Sequence, residues 1–216
     1  MLHPATQLRY INDAIGYGVF TTAFIPRGTF VWVLDAWDRI LSPPAVAALP
    51  RLLRQQVEKY AYINAAGDYV LCWDFGCYMN HSCEPTSLGL GESIEVAIRD
   101  IEPGEELTCE YATLNLTTAF ACGCHKQTCR KLIGAADLDR FGERWDQTVA
   151  QLLPTISQVE QPLAPFIKAN ERDRAVLDGI FKRAAVALPS ARDYQASKAA
   201  KPARQSLTAG RLWRLD

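Results

Sequence analysis

The sequence predicts an α+β protein, mainly β with helices, in which a strand-rich body precedes a helical extension. Two patterns carry this expectation. Residues 15–35 (IGYGVFTTAFIPRGTFVWVLD) hold β-branched and aromatic residues in short runs broken by Gly16, Gly18 and Pro26-Arg27-Gly28, which reads as short strands joined by tight turns. After Gly134 the apolar residues switch to helical spacing, with Leu138, Phe141, Trp145, Val149 and Leu152 three or four apart. The 216 residues are 49% hydrophobic and 22% charged, enough to bury a real core, which excludes a disordered, collagen-like or disulfide-stapled chain.

Each element follows in turn. Ser42-Pro43-Pro44 starts a helical insert over about 43–60, carried by Val46, Leu49, Leu52, Leu53 and Val57, and Pro50 is expected to split it. Tyr60 to Asn64 and Tyr69 to Trp73 read as a strand pair turning at Ala66-Gly67-Asp68. Ser93 to Arg99 (SIEVAIR) alternates as a strand does, and Glu102-Pro103-Gly104-Glu105 turns into a strand from Leu107 to Tyr111. A second amphipathic helix is expected from Leu177 through Ile180, Phe181 and Ala184 to Leu188. The stretch 191–216 reads as a solvated basic tail, with Lys198, Lys201, Arg204, Arg211 and Arg214 against Asp216 from Ser197 onwards.

Charge and cysteine usage narrow the function classes. The 23 lysines and arginines nearly balance 24 aspartates and glutamates, so no global field recruits nucleic acid. Met1 to Tyr10 lacks the pattern of a secretory leader, and no apolar run approaches the roughly 18 residues of a membrane-spanning helix. A cytoplasmic chain without membrane attachment is the expectation. In such a reducing compartment 7 cysteines, an odd number, point to metal binding or catalysis before disulfides.

The cysteine spacing carries the strongest chemistry. Cys122, Cys124 and Cys129 form a CxCxxxxC cluster, three thiols that lack only one ligand for tetrahedral zinc. Cys72, Cys77, Cys83, Cys109, His81 and His125 are all candidates for the fourth, and spacing alone does not choose among them. Two further segments stand out, Asn80-His81-Ser82-Cys83-Glu84-Pro85-Thr86 and Glu105-Glu106-Leu107-Thr108-Cys109-Glu110-Tyr111.

Together with Gly16-Tyr17-Gly18-Val19-Phe20 and the cysteine cluster, in this order, these segments resemble the SET-domain protein lysine methyltransferases with a post-SET zinc-binding loop. The resemblance spans about residues 10–134. It implies a β-clip-like body of short strands at 8–112 and a post-SET loop at 113–134, to which the helical spacing adds an extension at 135–190. It also supplies the fourth ligand, so that Cys83, Cys122, Cys124 and Cys129 hold a structural Zn2+. Its implied activity is transfer of a methyl group from S-adenosyl-L-methionine to the ε-amine of lysine in a protein substrate. Tyr111 takes the catalytic place and Gly16, Tyr17, Gly18, Asn80, His81 and Tyr111 the cofactor pocket, with Tyr78 and Cys109 in the lysine channel.

The chain departs from the family pattern at several positions. Cys109 stands where Phe or Tyr limits the number of methyl groups, which implies room for products beyond monomethyl-lysine. Thr86 and Cys77 replace the usual Asn and Arg, and the second channel tyrosine is missing, with Trp32 or Leu34 near its place and Tyr60, Tyr62, Tyr78 or Trp73 able to complete the wall. The alternative from another class is a catalytically silent SET-like protein-binding module, against which the intact Asn80, His81 and Tyr111 count. A cysteine hydrolase built on Cys83 with His81 or His125 fits less well, because no oxyanion-type glycine loop accompanies it.

Overall fold

The computed structural model describes residues 1–196. The first part of the chain forms β1 (Thr6–Asn12), β2 (Gly16–Thr21), β3 (Phe30–Val33), β4 (Arg39–Leu41), α1 (Pro43–Ala47), α2 (Arg51–Tyr60), β5 (Tyr62–Ile63) and β6 (Tyr69–Leu71). The middle supplies β7 (Asn80–His81), β8 (Ser87–Gly89), β9 (Ile94–Ala97), β10 (Glu106–Cys109), β11 (Phe120–Ala121) and β12 (Leu132–Ile133). Helices α3 (Ala136–Ala150), α4 (Leu153–Ile156) and α5 (Glu171–Phe181) follow. Among the described residues no helix is long and apolar enough to cross a membrane.

The strands form small sheets ordered β1-β2-β10-β7, β3-β9-β8, β4-β6-β5 and β11-β12. β1 and β2 make a hairpin whose turn is held by the Asn12 side chain, which accepts from the Ala14 and Ile15 amides at 2.9 and 3.0 Å. The pairing that matters most for chemistry is parallel: β10 lies against β7 with Thr108 opposite Asn80 and Cys109 opposite His81. Two motifs far apart in sequence thereby become neighbours. Strand β9 is the middle of its sheet, and all of its residues are buried.

Two cores flank this framework. Phe30, Val33, Leu88, Ile94 and Val96 from the β3-β9-β8 sheet pack against Val149, Leu152, Ile156, Leu163 and Ile180 of the helical extension. On the other side Val19, Trp32, Val70, Met79, Leu107 and Cys109 form a second cluster. The helical insert splits at Pro50 as expected, but only part of its apolar stripe is covered. Val46 and Val57 are buried, whereas Leu52 and Leu53 stand 75% and 56% exposed.

The second amphipathic helix stops short of Leu188. It ends at Phe181, and Arg183 adopts a left-handed conformation with φ 52°. Gly179 explains the reversal, because a Cβ there would stand 2.4 Å from Cγ2 of Val186, which folds back onto the helix. Residues 191–196, assigned above to a basic tail, instead dock on the body. Ser190 caps a 3₁₀ turn at Ala191–Tyr194, the Tyr194 ring is 7% exposed, and its hydroxyl donates to Asp173 Oδ1 at 2.6 Å. An aromatic ring with a buried hydrogen-bond partner outweighs the local polarity. The expected tail beyond Ala196 lies outside the described residues.

Candidate active site and metal centre

The glycine segment and the asparagine are fastened together. Asn80 Nδ2 donates to the Tyr17 carbonyl at 3.0 Å and to Glu106 Oε1 at 2.7 Å, tying β2 to β7 across β10. Gly18 has no room for a side chain, because a Cβ would lie 2.5 Å from Glu106 Oε1 and 2.7 Å from Ile11 Cδ1. Gly16 differs in kind. Its φ of 82° favours glycine, and no atom lies within 4 Å of where its Cβ would stand, so the backbone borders open space.

Tyr111 begins a short 3₁₀ turn directly after β10. Its hydroxyl donates to the Met79 carbonyl at 2.6 Å, and its amide donates to His81 Nδ1 at 3.2 Å. Its ring packs beside His81 and Phe120 with centroids 5.6 and 5.7 Å away. Burial holds the phenol well above its ordinary pKa, so it stays protonated at neutral pH. His81 is driven the other way, to about 3, by burial and by the neighbouring Arg130. The imidazole is therefore neutral, with Nδ1 accepting from the Tyr111 amide and Nε2 lying 3.2 Å from Arg130 Nη2 and 3.5 Å from Cys83 Sγ.

A cavity of about 260 Å³ gathers Gly16, Tyr17, Tyr78, Asn80, Cys109 and Tyr111 on one wall system. Gly18 and His81 are not part of its lining. Gly18 acts through the packing of β2, and the His81 side chain turns away towards the cysteines. Of the other residues expected at the second channel wall, Trp32, Tyr60 and Tyr62 line the cavity, and Leu34 and Trp73 do not. Trp73 is 54% exposed and spends its indole N–H on Asp35 Oδ2 at 2.8 Å.

The four cysteines expected on a metal converge. The sulfurs of Cys83, Cys122, Cys124 and Cys129 all lie within 4.8 Å of one another. Cys83 and Cys122, 39 positions apart, approach to 3.8 Å. A tetrahedral ion with Zn–S bonds of about 2.3 Å requires sulfurs about 3.8 Å apart, so the donor set fits zinc in number, element and spacing. The surroundings divide the thiols, since burial raises Cys83 and Cys122 above the ordinary thiol pKa while Cys124 is lowered. Arg130 points its amide and its Nε at Cys83 Sγ from 3.3 and 3.5 Å. Burial opposes ionisation of Cys124, yet the Cys83 and Lys126 amides outweigh it and bring that thiol down to about 7.

Residues 16–112 match the family model for the SET domain. The Drosophila melanogaster histone-lysine N-methyltransferase ash1 is 29% identical over 147 residues, which is 58% of this chain but only 6% of that protein. Among solved structures, KRYPTONITE in complex with mCHG DNA and SAH aligns over 59% of this chain and 29% of its own, at 22% identity and a TM-score of 0.41. The methyltransferase domain of human histone-lysine N-methyltransferase SETMAR aligns over 61% of this chain and 57% of its own, at 21% identity and a TM-score of 0.42.

Two residues outside the motifs complete the surroundings of the site. Arg130, next to the last cysteine, is its hub. It donates to Glu110 Oε2 at 2.6 Å, pairs with Asp137 Oδ2 at 3.2 Å, and lies over the Phe141 and Trp145 rings at 5.3 and 5.7 Å. It thereby links the cysteine cluster, the residue before Tyr111 and α3. Its position beside Cys129 was visible in the sequence, but nothing local distinguishes it from a surface arginine. The second is Glu95 of β9, which lines the cavity and accepts from Ser87 Oγ at 2.7 Å. Alternation in SIEVAIR sets Glu95 apart from Ile94 and Val96 on the opposite face of the strand, which reads as a solvated position; the central place of β9 buries both faces.

Proposed function

We propose that this chain transfers a methyl group from S-adenosylmethionine to the ε-amine of a lysine in a protein substrate. One observation carries the reading: within a segment matching the SET domain, Tyr111, Asn80 and Gly16 line the same cavity, and the Tyr111 hydroxyl is anchored on the Met79 carbonyl. The hydroxyl oxygen keeps its lone pairs for the reacting groups, and its anchored proton fixes their direction. Gly16, Tyr17 and Asn80 serve the cofactor side, where bare backbone admits close approach. Tyr60, Tyr62, Tyr78 and Tyr111 supply an aromatic surround that disfavours a free ammonium, whose ordinary pKa is about 10.4. Direct displacement needs alignment of nucleophile, methyl carbon and sulfur more than covalent help, and rigid rings provide alignment.

The four thiols are read as ligands of a structural zinc ion. Four sulfur ligands close a tetrahedral shell and leave no position for a catalytic water. Their work is to bind the loop after β10 to the segment after β7, holding β11, β12 and Arg130 against Glu110. The protein domain boundaries, at 8–112, 113–134 and 135–190, follow the same reading.

The test is incubation of the purified chain with labelled S-adenosylmethionine and a lysate of its source organism, followed by mass spectrometry of labelled bands. Methyl-lysine in discrete proteins is expected. Absence of label despite measurable cofactor binding would convert the reading to a binding module.

A further inference from the structure

Glu95 is a buried acid in a place where an apolar residue would satisfy the packing. It lies between Trp32 of β3 and Gly89 of β8 in the strand register. Gly89 has no side chain to cover it, and even a Cβ built there would stay 3.7 Å from Oε1. Its Oε2 is held by Ser87 Oγ at 2.7 Å, while Oε1 has no hydrogen-bond partner among the described residues. The Trp32 indole N–H, 6% exposed, is also unpartnered and on the cavity lining. Glu95 thus presents to the cavity an acceptor oxygen with no protein donor on it, which a ligand N–H would complete.

We propose that Glu95 receives the side-chain ammonium of the substrate lysine, its Oε1 first accepting an N–H hydrogen bond that orients the amine and then taking that proton. This rests on the lysine methyl-transfer reading above and adds the residue that frees the nucleophile. In the step, an N–H bond of the ammonium breaks with its electron pair left on nitrogen, and an O–H bond forms on Glu95. The nitrogen pair then attacks the methyl carbon, and the C–S bond breaks with its electrons going to sulfur. Methylammonium and thioether result, and the Glu95 proton leaves to solvent with product release.

The surroundings suit a proton acceptor near neutrality. Burial and the Glu110 carboxyl push Glu95 up to about 7 against the Ser87 hydrogen bond. The other titratable groups facing it are Tyr62 of β5 and Cys109 of β10, with Cys72 at the end of β6 beside Cys109. Burial raises all three above their ordinary values, so they stay neutral while Glu95 titrates.

The experiment measures the initial rate of label transfer from S-adenosylmethionine into lysate protein from about pH 5.5 to 9.5, for wild type, Glu95→Gln and Ser87→Ala. Wild type is expected to rise through an ionisation near 7. Glu95→Gln should lack that ionisation and run at least about tenfold slower at pH 7. Ser87→Ala, which removes a hydrogen bond favouring the carboxylate, should move the same rise to higher pH. A Glu95→Gln profile parallel to wild type overturns the role of Glu95 while leaving methyl transfer intact, whereas an inert wild type overturns both. If Glu95→Gln does not fold, Ser87→Ala decides, and an unmoved inflection in that variant overturns the proposal.

Discussion

Tyr111 illustrates how a single hydroxyl is made useful by its neighbours. Its proton is committed to the Met79 carbonyl and its amide to His81, so the ring is fixed from both ends. Tyr111→Phe should cut methyl transfer by on the order of 10² while leaving cofactor affinity within a few fold, because the lost interactions belong to the transition state. Single-turnover transfer beside calorimetric cofactor binding checks it, and near-normal transfer would relocate the catalytic role. Cys109 lies on the same wall, and its small side chain occupies less of the cavity than a tyrosine ring would. Wild type under excess cofactor is expected to proceed beyond monomethyl-lysine, and Cys109→Tyr to stop earlier. Intact-mass analysis of the product distinguishes these outcomes, and identical distributions in both proteins would refute the volume argument.

The element that the site depends on most is the loop from β11 to β12, which carries three of the four converging thiols. One zinc per chain is expected in protein purified without added metal, and Cys124→Ser should lose most of it; elemental analysis reads both. Arg130 ties this loop to the body through a carboxylate that is 1% exposed. Arg130→Met leaves Glu110 buried without its partner and should lower unfolding stability by about 3 kcal/mol, measured by urea denaturation of the zinc-loaded protein. A loss below about 1 kcal/mol would mean that Glu110 finds another donor or simply protonates. The order of the motifs made this loop legible in the sequence. Arg130 was not, since its partners Glu110, Asp137, Phe141 and Trp145 come together only in three dimensions.

For the whole molecule, Glu95 sets a pH dependence of stability. Its native pKa is raised to about 7 from an ordinary 4.5, so between these values the folded state binds a proton that the unfolded state releases. Stability from this group therefore falls as pH rises through that window, by on the order of 3 kcal/mol in total. Glu95→Gln should match wild type near pH 4 and become progressively more stable than it up to about pH 7, beyond which the gap stays constant. Urea titrations at several pH values check this, and a gap independent of pH would show that Glu95 titrates normally in the fold.

At the same scale, local sequence was enough for the strand-rich body, the split of the insert at Pro50, the helix after Gly134 and three of the four converging cysteines, Cys83 having come from the family resemblance alone. These rest on local chemistry: backbone restriction by proline and glycine, side-chain period, and the ligand demands of a metal. Tertiary structure decided what periodicity does not encode. It placed Cys109 beside His81 through a parallel pairing of β10 with β7, turned the His81 ring away from the cavity, and left Leu52 and Leu53 outside the core. It also docked Tyr194 and buried Glu95 in the middle strand of a sheet. In each case the deciding contact joins residues distant in the chain, and the side chain's own polarity is overruled by what packs against it.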